Sequence, residues 1–273
     1  MRIHMYLHGK GGIGKSQMAA ALADYLQRHD KQVWCADCDP STDTFRRITS
    51  LDVKFYDIMD GDEVNARRFD DLIMDALESG AEDAVIDSGS GAYQALADYM
   101  SQGGMFEALR DQGHHGYLHT IVAGGGMLGT TLDGLHNLVK VFPETKFVVW
   151  LNPKNGAMIL DGIPLTEHPD FQQYTDHFGA VIAVPQLNAS TYAADLSWML
   201  ARGQTYDDAN ADPSVNFIIK NRLNQQRRAY DELLDAALAA LEASEAPKRT
   251  EIKADKSKSQ KRKTGRSKNK KRR

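Results

Sequence analysis

The run Gly9-Lys10-Gly11-Gly12-Ile13-Gly14-Lys15-Ser16 follows the spacing G-x-x-x-x-G-K-[ST], in which each residue type has a task at a phosphate. The glycines let the backbone curl until successive N–H groups face an anion, and a helix starting there adds the positive end of its dipole. Lys15 then reaches the β and γ oxygens of a nucleotide, Ser16 offers a hydroxyl to Mg²⁺, and Gln17 follows on the nucleotide side. A glycine-rich turn that merely caps a helix is the alternative, but the run lies after a first strand and at the start of a helix, where the phosphate mechanism needs it. Two further strand ends carry carboxylates. Ala84-Val85-Ile86 runs into Asp87, and Val33 to Ala36 runs into Asp37-Cys38-Asp39-Pro40. Because residues i and i+2 share one face of a strand, Asp37 and Asp39 can both point at the γ-phosphate region, with Asp87 beside the loop where it can hold a water ligand of a metal.

The elements that must position these groups alternate along the chain. Apolar, β-branched-rich runs predict strands at Arg2 to Leu7, Gln32 to Ala36, Ala84 to Ile86, Leu118 to Val122, Lys146 to Leu151 and Ala180 to Val184. Helical spacing of apolar positions predicts helices at Lys15 to Arg28, Phe69 to Glu78, Ala92 to Leu109, Gly126 to Val141, Tyr192 to Ala201 and about Ser214 to Ala243. Strand followed by helix, repeated, predicts an α/β protein: a three-layer P-loop NTPase fold with a mostly parallel sheet flanked by helices. The 273 residues, 42% hydrophobic, suffice for a sizeable core. No leader pattern opens the chain and no run of about 18 apolar residues occurs, so no transmembrane segment is expected and the reading is cytoplasmic. Cys35 and Cys38, the two cysteines, are too few for a disulfide framework, and on a strand their side chains face opposite ways. His114, His115 and His119 lie close together without matching carboxylates and are read as loop and strand residues.

Charge divides the chain in two. Residues 246–273 hold fourteen Lys and Arg against Glu251 and Asp255, a net charge of +12, whereas residues 1–245 carry 19 basic and 35 acidic side chains, a net of −16. Residues 1–245 are therefore read as a P-loop ATPase domain and 246–273 as a disordered basic tail. Such a tail, without aromatics, is suited to sequence-independent contact with DNA phosphates; anionic lipid or plain solvation are the alternatives.

The run from Lys10 to Ser16, with its lysine one residue after Gly9, resembles the deviant Walker A motif of the ParA and MinD group of P-loop ATPases. The resemblance implies ATP and Mg²⁺ as ligands and an ATP-bound homodimer, with Lys10 reaching across to the partner's nucleotide. The strand-end motif Asp37 to Pro40 is shared as well. It implies that Asp39 is linked to water activation, so that Lys10, Lys15 and Asp39 are the catalytic candidates and Ser16, Asp37 and Asp87 lie nearer the metal. Asn152, after Phe147 to Leu151, falls where the group has an asparagine that reads the adenine edge. One departure is Ser88-Gly89-Ser90-Gly91 after Asp87, where partition ATPases often carry two prolines.

Over about Arg2 to Leu241 the chain also resembles the TraL family of nucleotide-binding proteins encoded in the transfer regions of conjugative plasmids. The residues that carry this are Ile58 to Asn65, Phe147 to Pro153 and the glycine-rich stretch after Val122. It implies a task in conjugative transfer beside other transfer proteins, with slow turnover that awaits an activator. A small-molecule kinase on the same fold and a nucleotide-binding scaffold without turnover remain the alternatives.

Overall fold

Seven short runs line up side by side in the computed structural model, which describes residues 1–245; the expected basic tail, 246–273, lies outside the described residues. In chain order the elements are β1 (Arg2–Tyr6), α1 (Lys15–Arg28), β2 (Val33–Asp37), β3 (Lys54–Phe55), β4 (Met59–Asp60), β5 (Glu63–Val64), α2 (Ala66–Glu78), β6 (Asp83–Asp87), α3 (Tyr93–Gln102) and α4 (Met105–Asp111). They continue with β7 (His115–Ala123), α5 (Leu128–Val141), β8 (Lys146–Asn152), β9 (Ile159–Leu160), β10 (Ile163–Pro164), α6 (Pro169–Gln172), β11 (Phe178–Ala183), α7 (Tyr192–Ala201), α8 (Tyr206–Ala211) and α9 (Phe217–Glu245). The main sheet has the order β11-β8-β7-β1-β6-β2-β3, and every neighbouring pair is parallel.

A sheet buried on both faces needs apolar residues pointing both ways. Ile3, Met5, Ala84, Ile86, Leu118 and Phe147 face a core shared with α2, α3, α4 and α5. Tyr6, Val85, Ile121, Val148, Trp150 and Ile182 face a second core shared with α1 and α9. The expected three layers and parallel sheet are therefore present. Cys35 and Cys38 fall in opposite cores, both buried and unpaired. Among the described residues no helix is long and apolar enough to cross a membrane.

Several boundaries differ from the sequence reading, most of them for a local reason. The helix expected over Ala92 to Leu109 is two helices, because the chain turns at Gly103-Gly104 and Gly104 takes a left-handed φ of 58°. The last helix starts at Phe217 rather than Ser214, where Asn216 Oδ1 accepts the N–H groups of Ile218 and Ile219. Helix α8, not anticipated, is closed by a capping box between Thr205 and Asp208. Strand β6 begins one residue early, at Asp83, a charged residue that a hydrophobic pattern excludes from a core.

Asp83 is tolerated there because a chain of donors ends on it. Trp150 Nε1–H donates to His119 Nδ1 at 3.0 Å, which leaves the His119 proton on Nε2, 2.9 Å from His4 Nδ1; His4 Nε2 then meets Asp83 Oδ1 at 3.2 Å. Arg2 closes the other side with two hydrogen bonds to the same carboxylate, of 2.7 and 2.9 Å. Burial works against ionisation of Asp83, but the bonds from His4 and Arg2 outweigh it and hold its pKa down at about 2. Because this folded value lies below the ordinary one near 4, the stabilisation is present above about pH 4 and is lost as the pH falls towards 2. Asp83→Asn is expected to cost about 3 kcal/mol at pH 7, as for a buried pair losing one partner. Urea denaturation should show the gap between wild type and variant shrinking below pH 4; a gap unchanged to pH 2.5 would contradict an ionised Asp83.

Candidate functional site

Parallel strands put all their C-terminal ends on one edge, and side chains at those ends converge there. The loop after β1 lies on that edge between the ends of β6 and β7. Gly9 to Gly12 are exposed, Ile13 is buried, and Lys15 opens α1. Gly12 and Gly14 have φ of 75° and 106°, the left-handed region that lets the loop curl. The other two glycines answer close approach. A Cβ on Gly9 would stand 2.9 Å from the Tyr93 ring, and one on Gly11 would stand 3.3 Å from Ser90 Oγ. The segment after Asp87 is thus packed against the loop, and the small residues Ser88 to Gly91 make this possible. Gly89 also abuts the Asp39 carboxyl, 3.1 Å from where its Cβ would be.

The three expected carboxylates meet at this edge. Asp37 ends β2, and its Oδ1 accepts the Asp39 N–H at 2.8 Å, turning the chain so that Asp39 is held in place. Asp39 Oδ1 in turn accepts the N–H and hydroxyl of Ser41. Asp37 and Asp87 pair in register across β2 and β6. Burial raises the Asp37 pKa to about 6 and the Asp87 pKa to about 7. Burial also lowers the Lys15 ammonium below its usual value, against the pull of Asp87 and Asp39. Ser16 faces Asp87, yet neither oxygen of that carboxyl closes a hydrogen bond of ordinary geometry although both are inaccessible to solvent.

A buried carboxyl with two orphaned oxygens beside a lysine and a serine fits a divalent cation bound jointly with phosphate. Among the described residues no group of three or more His, Cys, Asp or Glu is arranged to hold a metal alone. Magnesium does not need one, since it is ordinarily held by one or two carboxylates together with phosphate and water. His114 and His115 lie at the start of β7, remote from this edge, and His119 belongs to the buried donor chain.

Asn152, at the end of β8, is 4% exposed. Its Nδ2 donates to the Ile13 carbonyl at 2.9 Å, and its Oδ1 accepts the Lys154 N–H at 3.1 Å. Asn152 therefore grips the loop, in addition to bordering a cavity of about 680 Å³ lined by Gln17, Lys154, Pro185, Leu196 and Tyr230 among others. Gln17 and Asn152, singled out in the sequence, both reach this cavity. The residues after β11 that complete it, Val184 to Ala189, carried no readable motif.

A glycine loop between a parallel strand and a helix, with carboxylates on the neighbouring strand tips and a cavity alongside, defines a P-loop nucleotide-binding protein. The chain belongs to the CobQ/CobB/MinD/ParA nucleotide binding domain family, whose model matches residues 5–256. It is similar to two Escherichia coli proteins named Protein TraL: 37% identical to one over 237 residues, 86% of this chain and 98% of that protein, and 36% identical to the other over 239 residues, 87% and 99%. The MinC:MinD cell division complex of Aquifex aeolicus shares the fold, with a TM-score of 0.50 at 12% identity over 82% of this chain and 95% of that one.

Replacing Asn152 with Ala removes a buried donor to the loop and leaves the Ile13 carbonyl without it, at a cost of about 1–3 kcal/mol. Nucleotide affinity measured by calorimetry should fall by about tenfold, the equivalent of 1.4 kcal/mol. An affinity equal to wild type would show that the loop does not need this bond.

Proposed function

We propose that this protein is an ATPase of the ParA and MinD type that acts as an ATP-dependent dimerisation switch in plasmid conjugative transfer. The observation that carries the reading is the convergence of Lys15, Asp37, Asp39 and Asp87 on one sheet edge, with the Asp87 oxygens unpartnered beside the glycine loop. The loop N–H groups and Lys15 bind the phosphates, and Gln17 and Asn152 border the base. Ser16 and Asp87, with Asp37, hold Mg²⁺, which when bound supplies positive charge against the phosphate oxygens. Asp39 orients the attacking water. Lys10, exposed on the loop, is free to reach a second subunit. Turnover is slow, below the roughly 1–100 s⁻¹ of kinases, and waits on a partner. The similarity to Protein TraL over nearly its whole length supports a place beside other transfer proteins.

The ATPase domain is residues 1–245 and the basic tail is a separate, DNA-binding unit. Helix α9 ends at the sheet edge opposite the glycine loop, where Arg2 bonds Glu242 and Tyr117 bonds Glu245. The last described residues of α9 thus lie on the far side of the sheet from the glycine loop. The tail's phosphate contacts carry no sequence preference and weaken steeply with salt.

Two experiments test this reading. Molar mass in solution with Mg²⁺ and no nucleotide, ADP or a slowly hydrolysed ATP analogue should show a dimer only with the analogue, absent in Lys10→Ala; with ATP itself, Asp39→Ala should accumulate the dimer by blocking hydrolysis. A monomer in every condition removes the switch, and equal hydrolysis by Asp39→Ala removes that residue's role. Deleting residues 248–273 should abolish retention on duplex DNA and leave ATP affinity within about twofold, well under the tenfold that 1.4 kcal/mol produces. Undiminished retention on DNA would instead place the contact on the acidic body.

A further inference from the structure

His8, between β1 and the glycine loop, is 2% exposed, and both of its ring nitrogens are engaged. The Lys10 N–H donates to Nδ1 at 2.9 Å, so Nδ1 carries no proton; Nε2 then carries it and faces the Thr131 carbonyl on α5 at 3.3 Å. The ring is therefore neutral in a single tautomer, which fits the effect of burial in lowering its pKa to about 4. An independent observation points to the same close fit. Gly134 on α5 has no other evident need to be glycine, but a Cβ there would stand 2.4 Å from His8 Nε2. Thr131 continues the connection: its hydroxyl accepts the Ala123 N–H at 2.9 Å and donates to the Met127 carbonyl at 2.9 Å, bracing both ends of the glycine-rich stretch. That stretch lies backbone to backbone on the segment after Asn152, since a Cβ on Gly124 would stand 2.1 Å from the Gly156 carbonyl oxygen.

We propose that His8 is a positioning residue for Lys10: wedged between the loop and α5, its imidazole accepts the Lys10 amide and fixes the backbone direction from which the Lys10 side chain leaves. The inference rests on the reading that Lys10 acts across a dimer. A backbone held on both sides of Lys10 presents the ammonium in one direction, whereas a free glycine-flanked segment presents it in many. His8 bonds the loop at Lys10 alone and touches neither its Gly14 to Ser16 end, where Lys15 and Ser16 lie, nor the base cavity. Its loss should therefore separate two quantities that loss of Lys15 would reduce together.

The test uses the full chain with His8→Leu, which fills space without an acceptor, and His8→Asn, whose Oδ1 stands where Nδ1 stood. With the ATP analogue and Mg²⁺, His8→Leu should bind nucleotide within about threefold of wild type but dimerise at least about fivefold more weakly, a change of the size that one neutral hydrogen bond supplies. His8→Asn should recover most of the dimer. Nucleotide binding and dimerisation falling in parallel in His8→Leu, or His8→Asn behaving as His8→Leu, overturns the proposal. A second readout is independent of dimerisation. Hydrogen exchange of the Lys10 amide in the nucleotide-free protein should be slow in wild type and His8→Asn and at least about tenfold faster in His8→Leu, as for an amide released from a protecting bond. Equal exchange in all three overturns the positioning role. Failure of wild type to dimerise, with the exchange pattern as expected, overturns the dimer reading and leaves His8 as the residue that orders the loop at Lys10.

Discussion

The backbone between His8 and Ser16 must turn its N–H groups inward towards an anion, and most of the site follows from that constraint. A segment in this shape has no ladder of its own, so its remaining polar groups must be satisfied by neighbours. Asn152 takes the Ile13 carbonyl, His8 takes the Lys10 amide, and Lys15 reaches back to the Lys10 carbonyl at 3.5 Å. The same curl brings the loop against Tyr93, Ser90 and Asn152, within reach of where a Cβ on Gly9, Gly11 or Gly14 would stand. Each glycine is thus explained either by φ or by a neighbour, and those neighbours come from the segment after β6 and the end of β8.

Strand β6 illustrates how position on the sheet decides the chemistry of a carboxylate. Asp83 begins it and Asp87 ends it; both are buried, at 0% and 1% exposure. Asp83 meets Arg2 and His4 and is held near pKa 2, while Asp87 meets no hydrogen-bond donor of good geometry, lies near Asp37 and Asp39, and is raised to about 7. Burial opposes ionisation in both; the supply of donors and the sign of the neighbouring charges differ. The N-terminal edge is electrostatically satisfied and ties down the end of α9. The C-terminal edge is left with an excess of buried carboxylate that positive charge from outside the chain can relieve, and such sites are where function is usually found.

Much of this was legible in the sequence because it depends on local rules. Helix α1 starts and stops at the residues its pattern indicates, since apolar spacing and the loop before it define both ends. The Gly9 to Ser16 loop and the strand-tip aspartates were found from spacing alone. Where the reading failed, the cause was one that apolar periodicity does not register, a distant partner in one case and a local turn in another. Asp83 looked too polar for a strand until Arg2 and His4 were beside it, and α3 and α4 looked continuous because apolar periodicity does not register the left-handed turn at Gly104.

By itself, then, the sequence determined the alternation of the longer strands and helices, the phosphate loop and the residue types at the strand tips, because these depend on periodicity and on short motifs with fixed spacing, whereas the short strand β3 and helix α8 escaped it. It did not determine which groups have partners. That His8 braces Lys10, that Asn152 is committed to the loop carbonyl, and that Asp83 and Asp87 differ so widely in pKa are consequences of contacts between residues as many as about 140 positions apart. Only the parallel sheet with its packed helices, which aligns distant strand ends along its two edges and excludes water between them, decides such interactions.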